Sequence, residues 1–208
     1  MTKSAILFTL FIVFSCQSKK SENMIQNFDQ NTQIATFAGG CFWCTEAVFL
    51  ELEGVKSVTA GYTDGNTDNP TYAQVSSGLT GHAEATQIVF DPKKVSFETL
   101  LEVFFATHDP TTLNKQGADI GTQYRSEIYY HNAEQKQQAE NYIAFLTKSK
   151  TFGQPIVTKI SAAVRFYVAE NYHQNYYNLN KNQSYCHYVI TPKIEKVRHK
   201  FETKLKKN

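Results

Sequence analysis

The chain has 208 residues, of which 41% are hydrophobic and 19% are charged, a composition typical of a soluble globular protein with one sizeable core. The formal net charge of +2 is too small to indicate a nucleic-acid-binding surface, so no nucleic-acid partner is expected. The length suggests one domain with extensions.

The N-terminal segment has the layout of a secretory signal. Lys3 precedes an apolar run over residues 5–14, which is too short to span a bilayer as a helix. Residues 1–15 are therefore predicted to be a signal peptide. Because the segment ends at Cys16, it resembles a lipoprotein signal, which implies cleavage before Cys16 and lipid on that cysteine. The alternative is a plain secretory signal with an incidental cysteine.

A lipidated Cys16 would make the protein a membrane-anchored lipoprotein of a bacterial cell envelope, on the periplasmic or outer-membrane side. Residues 16–33 are polar and would form the lipidated cysteine and a flexible tether. The catalytic domain is predicted to occupy residues 34–208, and we expect it to be a monomer.

The pattern after the tether alternates strands and helices. A buried strand, "IATFAG", leads into a helix over residues 42–53 that Gly54 ends. The strands "VKSVTAGY" and "ATQIVFDP" follow, and Ser96 then caps the helix "FETLLEVFFATH". The strand "SEIYYH" precedes a long surface helix, and a strand and helix extend the chain from Val157.

The order of these elements, β-α-β-β-α-β, is that of the split βαβ, ferredoxin-like unit. The predicted fold class is therefore α/β (α+β). It is a two-layer sandwich, with helices on one face of a mixed sheet and a C-terminal extension.

The stretch "GGCFWC" places two cysteines three residues apart where the first strand meets its helix. Backbone N–H groups in the first turn of a helix favour an anion, so the pKa of the Cys41 thiol is predicted to be lowered. Phe42 and Trp43 could wall a small hydrophobic pocket beside the sulfur, although core packing is the usual role of such aromatics. Cys41 is therefore the candidate nucleophile.

Besides Cys16, the mature chain contains three thiols, Cys41, Cys44 and Cys186. An odd number outside the reducing cytosol indicates that one is reactive or redox-cycling. Cys-x-x-Cys between a strand and a helix is also typical of thioredoxin-like disulfide oxidoreductases, which would use Cys41 and Cys44. A further alternative is a zinc-binding module in which the three thiols and His187 form a Cys₃His site.

Five blocks stand in the order "GGCFWCTEAVFLELEGV", "GYTDGNTDNPTYAQVSSGLTGHAEA", "HDPTTLNKQGADIGTQYRSEIYY", "YHQNYY" and "YCHYVI". Together they resemble peptide methionine sulfoxide reductase of the A type, over residues 34–190. The resemblance implies reduction of the S epimer of methionine sulfoxide, free or in proteins. It implies no bound cofactor or metal, but an external thiol reductant of the thioredoxin kind as a partner.

The resemblance also assigns roles to single residues. Cys41 would attack the sulfoxide, Glu84 in "GHAEA" would donate a proton, and Cys186 would resolve the resulting sulfenic acid as a disulfide. Burial beside aromatic rings would raise the pKa of Glu84 and so keep its proton in place. The other implied residues contact the substrate: Tyr72 and Tyr124 at the oxygen, Phe42 and Trp43 around the methyl group, Asp119 at the main chain, and Tyr176 and Tyr185 at the rim.

Cys44 departs from the glycine that is commoner at this position in the family. It is therefore a second candidate for the resolving thiol, and its plain alternative role is that of a small buried hydrophobe. His82 and His173 are expected to be hydrogen-bonded neighbours of the site rather than catalysts.

Overall fold

A computed structural model describes residues 31–207. The predicted signal peptide, the predicted lipid site at Cys16 and the tether up to residue 30 lie outside the described residues. The first strand begins at Gln33, one residue before the predicted start of the catalytic domain. In the described part of the chain, no helix has the length and hydrophobicity that crossing a bilayer requires.

Strands and helices alternate along the described chain. The strands are β1 (Gln33–Gly39), β2 (Val55–Thr63), β3 (Ala83–Phe90), β4 (Lys115–Gln116), β5 (Asp119–Ile120), β6 (Ser126–Tyr130), β7 (Lys159–Ala162) and β8 (Phe166–Val168). The α-helices are α1 (Phe42–Leu50), α2 (Tyr72–Ser76), α3 (Phe97–Thr107), α4 (Ala133–Lys148), α5 (Tyr176–Leu179) and α6 (Thr191–Lys200). A π-helical segment, Cys186–Ile190, leads directly into α6.

Six strands form one sheet in the order β7-β6-β1-β3-β2-β8, and β4 and β5 form a separate hairpin. Neighbouring strands of the large sheet are antiparallel except β6 and β7, which are parallel. With α1 after β1 and α3 after β3, the central strands have the ferredoxin-like arrangement. The predicted two-layer α/β fold with a mixed sheet is confirmed.

The two faces of the sheet carry different cores, because successive residues of a strand point to opposite faces. On β1, Phe37 belongs to the large cluster that includes residues of the long helices, and its ring lies 5.5 Å from Phe49 of α1 and 4.9 Å from Phe104 of α3. Ala38 belongs to a smaller cluster with Tyr129. The large cluster therefore fixes α1, and with it the cysteines at the start of that helix.

Local signals place most element boundaries correctly. The Ser96 hydroxyl accepts a hydrogen bond from the Thr99 N–H at 3.1 Å, which is the predicted cap of α3. Helix α1 ends at Leu50 rather than near residue 53, since Leu52 instead pairs with Leu205 in an isolated β-bridge.

Candidate active site

Cys41 lies at the N-cap of α1, in the turn that joins this helix to β1. Gly40 makes the turn with a φ of +89°, which residues with a side chain rarely adopt. A Cβ atom at Gly40 would also meet the Gln116 side chain at 2.5 Å. The turn leaves Cys41 8% exposed, so the residue is nearly buried.

Glu84 lies on β3 and is 1% exposed. Its Oε2 accepts a hydrogen bond from the backbone N–H of Phe42 at 3.1 Å. Burial raises the pKa of Glu84 to about 8, against the opposing effect of that N–H. The direction is the one predicted from the sequence, and the carboxyl group keeps its proton near neutral pH.

The predicted lowering of the Cys41 pKa is wrong in this structure. Burial raises the pKa of Cys41 well above its usual value, and the hydrogen bond with the Cys44 thiol and the charges of Cys44 and Glu84 act in the same direction. The Trp43 N–H lowers the pKa of Cys41, but its effect is smaller. The Phe42 N–H, one of the N–H groups in the first turn of the helix, binds Glu84.

Cys44 takes the charge that was predicted for Cys41. The hydrogen bond from Cys41 lowers the pKa of Cys44 to about 7, although burial opposes this. Lys193 and the Tyr185 hydroxyl, which lies 3.8 Å from the Cys44 sulfur, also favour its thiolate. The two thiols therefore form a pair in which Cys41 carries the proton and Cys44 ionises first.

A cavity of about 140 Å³ opens at this pair of thiols. Both cysteines line it, together with Asp119 of β5 and with Tyr185. The Tyr185 hydroxyl donates a hydrogen bond to Asp119 at 2.7 Å. The hairpin of β4 and β5, which the sequence analysis did not predict, supplies one wall through residues 116–119.

Trp43 stands at the centre of an aromatic group. Its indole ring stacks on Tyr176 with centroids 3.7 Å apart and planes at 5°, and Tyr185 packs edge-on at 5.9 Å. Its Nε1–H donates to His173 Nδ1 at 3.1 Å. Phe42, by contrast, is fully buried, and its ring packs against Tyr62 and His173.

Tyr72 and Tyr124 belong to the same electrostatic environment as Glu84 and Cys41. Burial and then the Glu84 charge raise the pKa of Tyr72 to about 12 and raise the pKa of Tyr124 in the same way. The charge of Cys41 also contributes to both shifts. Both phenols therefore stay protonated and can donate hydrogen bonds at neutral pH.

The two histidines are buried and hydrogen-bonded, as the sequence analysis expected. His82 Nε2 lies 2.7 Å from the backbone oxygen of Thr67. His173 accepts from the Trp43 indole, which makes its Nε2 the protonated nitrogen when the ring is neutral. The contact of His173 orients the Trp43 indole.

Cys186 is fully buried at the start of the π-helical segment. Burial raises its pKa, and the charge of Cys44 adds to the shift. The cysteines of the described residues are free thiols. Within residues 31–207, no group of three His, Cys, Asp or Glu side chains is arranged to hold a metal ion, so the alternative Cys₃His site with His187 is not assembled there.

Two charged residues in and near the site were not predicted from the sequence. Lys193 of α6 lines the cavity beside the thiols, and Glu46 of α1 is 1% exposed. A carboxylate directly before the apolar run Ala47–Phe49 was the available signal for Glu46, since an acidic side chain in a buried stretch needs a partner.

A nearly buried cysteine at a helix start, a protonated carboxyl group beside it and further thiols within the same core define an oxidoreductase that works by thiol chemistry. A sequence model described as "Peptide methionine sulfoxide reductase" matches residues 33–205, and the chain belongs to this family. Peptide methionine sulfoxide reductase MsrA of Acinetobacter baumannii (strain AYE) is 57% identical over 174 residues, which are 84% of this chain and 99% of the relative.

Solved structures agree with this assignment. The reduced form of Mxr1 from Saccharomyces cerevisiae aligns with a TM-score of 0.70 at 33% identity, over 76% of this chain and 92% of that one. The structure of Mxr1 in complex with Trx2 shares the fold at 22% identity and a TM-score of 0.51, over 74% of this chain and 91% of that one. The predicted family is confirmed, and the chain is an oxidoreductase that reduces methionine sulfoxide.

Proposed function

We propose that the chain reduces the S epimer of methionine sulfoxide, free and in proteins, with Cys41 as the attacking thiol and Glu84 as the proton donor. The observation that carries this proposal is a hydrogen bond that holds the Glu84 carboxyl group at the start of α1, where Cys41 lies. Phe42, the residue after Cys41, donates its N–H to the Glu84 carboxyl group at 3.1 Å. An acid with a pKa of about 8 is therefore held next to the sulfur that attacks.

The reaction needs a proton at the sulfoxide oxygen and an electron pair at the sulfoxide sulfur. Cys41 passes its proton to the Cys44 thiolate, to which it is hydrogen-bonded, and attacks as a thiolate. The oxygen takes a proton from Glu84 and moves to Cys41, giving a sulfenic acid and releasing methionine. Hydrogen bonds from Tyr72 and Tyr124 stabilise the charge on the oxygen during this transfer.

The surrounding residues bind the substrate in this proposal. Trp43 and Phe42 take the methyl group, with the Trp43 ring being the more accessible of the two. Tyr176 and Tyr185 form the rim, and Asp119 accepts a hydrogen bond from the substrate main chain. Support for the last role comes from the position of Asp119 on the wall of the cavity that the two thiols also line.

The test of the activity is turnover of the two separate sulfoxide epimers by the reduced enzyme with a dithiol reductant. The proposal expects methionine from the S epimer and none above background from the R epimer. Equal rates with both epimers would contradict the proposed geometry, because a fixed donor and a fixed methyl pocket accept one configuration at sulfur.

We propose that Cys186 resolves the sulfenic acid as a disulfide with Cys41, with loss of water, and that a thioredoxin-like dithiol then reduces the disulfide by exchange. The complex of yeast Mxr1 with Trx2 supports a partner of this kind. Cys41 and Cys186 belong to the same buried cluster, which supports this pairing. Cys44 is the second candidate, and its hydrogen bond to Cys41 favours it.

Serine variants separate the two candidates. Cys186→Ser is expected to release one methionine per enzyme and then stall with thioredoxin as reductant, because its sulfenic acid has no resolving partner. Methionine released over time, with a small thiol as an alternative reductant, measures this. If Cys186→Ser cycles steadily and Cys44→Ser stalls instead, Cys44 is the resolving thiol.

We further propose that the chain is a monomeric lipoprotein of a bacterial cell envelope, cleaved before Cys16 and anchored by lipid on that cysteine. An apolar segment that ends in Ser15–Cys16 supports this, as does the polar stretch that follows. Growth with labelled palmitate is expected to label the wild type but not Cys16→Ser. Absence of label from the wild type would remove the anchor, and the monomer is checked by sedimentation of the protein without residues 1–16.

A further inference from the structure

Glu46 is a buried carboxylate that the proposed reaction does not use. It lies on α1, two residues after Cys44, and is 1% exposed. Its Oε1 accepts a hydrogen bond from the backbone N–H of Asn175 at 2.7 Å, and its Oε2 accepts one from the N–H of Tyr176 at 3.2 Å. The carboxylate thus binds two successive N–H groups 129 and 130 residues away in sequence.

The segment that Glu46 holds is a short and unusual one. Asn175 has a φ of +53°, which is the left-handed region that non-glycine residues seldom occupy. It precedes α5, a helix of only four residues, which cannot be stable through its own hydrogen bonds. The bonds to Glu46 therefore fix the backbone where the chain turns into α5.

The Tyr176 ring connects this fixed backbone to the proposed substrate site. The Tyr176 ring stacks on Trp43 with centroids 3.7 Å apart and planes at 5°. Trp43 and Glu46 lie three residues apart on α1. Tyr176 therefore contacts this helix twice, with its backbone N–H at Glu46 and with its ring at Trp43. Burial raises the pKa of Glu46 to about 7, which shows that keeping a carboxylate here is costly.

We propose that Glu46 is a positioning residue for substrate binding, which holds Tyr176 against Trp43 and so forms the aromatic wall of the methionine sulfoxide site. This inference rests on the proposed function, in which Trp43 and Tyr176 contact the substrate. Glu46 touches neither the reacting atoms nor the thiol pair in the bonds described for it. Its loss should therefore weaken binding and leave the chemical step intact.

The first test is Glu46→Gln, assayed with methionine (S)-sulfoxide and a dithiol reductant. Glutamine is about as large as glutamate. Its oxygen can still accept a hydrogen bond from one of the two backbone N–H groups, but its NH₂ group cannot accept one from the other. We expect KM to rise by about tenfold while kcat stays within about twofold, which is the loss that one or two hydrogen bonds produce.

A spectroscopic measurement reports the wall directly, because Trp43 is the only tryptophan of the chain. We expect the emission of Glu46→Gln to shift to longer wavelength, since the indole gains contact with water when Tyr176 moves off its face. Glu51→Gln is the matched control. It makes the same chemical change at the end of the same helix, where Glu51 pairs with Arg198 on the surface, and it should alter neither KM nor emission.

The double variant Glu46→Gln/Tyr176→Ala distinguishes positioning from a general loss of stability. If Glu46 acts through Tyr176, the two KM effects are not additive, and Glu46→Gln has no further effect once Tyr176 is replaced. Additive effects, or unchanged KM and emission in a folded Glu46→Gln, would overturn the inference. Should Glu46→Gln not fold, Glu46→Asp, which keeps the charge but withdraws it by one carbon, carries the same expectations.

Failure of the underlying function gives a different result. If Tyr176→Ala alone leaves KM unchanged, Tyr176 does not contact the substrate, and the proposed substrate wall is wrong whatever Glu46→Gln does. If Tyr176→Ala raises KM and Glu46→Gln does not, the wall stands and only the positioning role of Glu46 is wrong.

Discussion

Replacing Cys41 with serine is expected to abolish methionine sulfoxide reduction, with a loss of more than about 10⁴-fold in kcat/KM. A serine hydroxyl does not ionise near neutral pH, and it cannot carry the oxygen as a reversible sulfenic acid. The Cys44 thiolate would remain in Cys41→Ser, but the proton donor Glu84 is held at the start of α1 by the N–H of Phe42, the residue next to Cys41. Methionine release with saturating dithiol measures the loss.

The fold of Cys41→Ser should be unaffected, because a hydroxyl replaces a thiol of similar size at a site that is 8% exposed. Thermal unfolding of the variant and the wild type provides the control. Activity within tenfold of the wild type would contradict the account and would make Cys44, the thiol of lower pKa, the attacking group.

Replacing Glu84 with glutamine is expected to lower kcat by about 10²- to 10⁴-fold, because the substituted amide cannot protonate the sulfoxide oxygen. The amide oxygen can still accept the Phe42 N–H, so the local backbone is preserved. In the wild type, kcat is expected to be highest between about pH 7 and about pH 8. It should fall as pH rises through about 8, where Glu84 loses its proton, and as pH falls through about 7, where Cys44 becomes protonated and cannot accept the Cys41 proton. A kcat profile between pH 6 and about pH 10 measures both effects.

The same residue controls how stability depends on pH. The folded protein raises the pKa of Glu84 from 4.5 to about 8, so between these values it binds a proton that the unfolded chain has released. The stability that this proton provides is complete below pH 4.5 and is lost as pH rises through about 8. Glu84→Gln should lack this dependence and unfold at a higher temperature than the wild type at alkaline pH.

A kcat of Glu84→Gln equal to that of the wild type would remove Glu84 from the mechanism.

The fold could be predicted from the sequence where elements are long and locally signalled. The strand β1 is a buried run that ends in glycine, β3 alternates apolar and polar residues, and the hydroxyl of Ser96 marks the start of α3. The strands β5 and β8 have only two and three residues, and their pairing depends on partners far away in the chain. No local pattern specifies such short pieces.

The site could be predicted only where its chemistry is local. The position of Cys41 at the start of α1 follows from the glycines and the helix that flank it. Its pKa does not, because burial and contacts with Cys44 and Glu84 outweigh the helix terminus. The role of Glu46 could not be predicted from its local sequence, because the N–H groups that it binds belong to α5 and the turn before it.

The central claim is that the Cys41 sulfur takes the oxygen of methionine sulfoxide. The measurement that tests it most directly uses the reduced Cys44→Ser/Cys186→Ser variant with one equivalent of methionine (S)-sulfoxide and no reductant, followed by a reagent that traps sulfenic acids. We expect one methionine released per enzyme, more slowly than by the wild type because Cys44 no longer accepts the Cys41 proton, and the trapped group on Cys41 in the peptide mass map. Methionine released with no modification at Cys41, or no methionine at all from a folded protein, would contradict it.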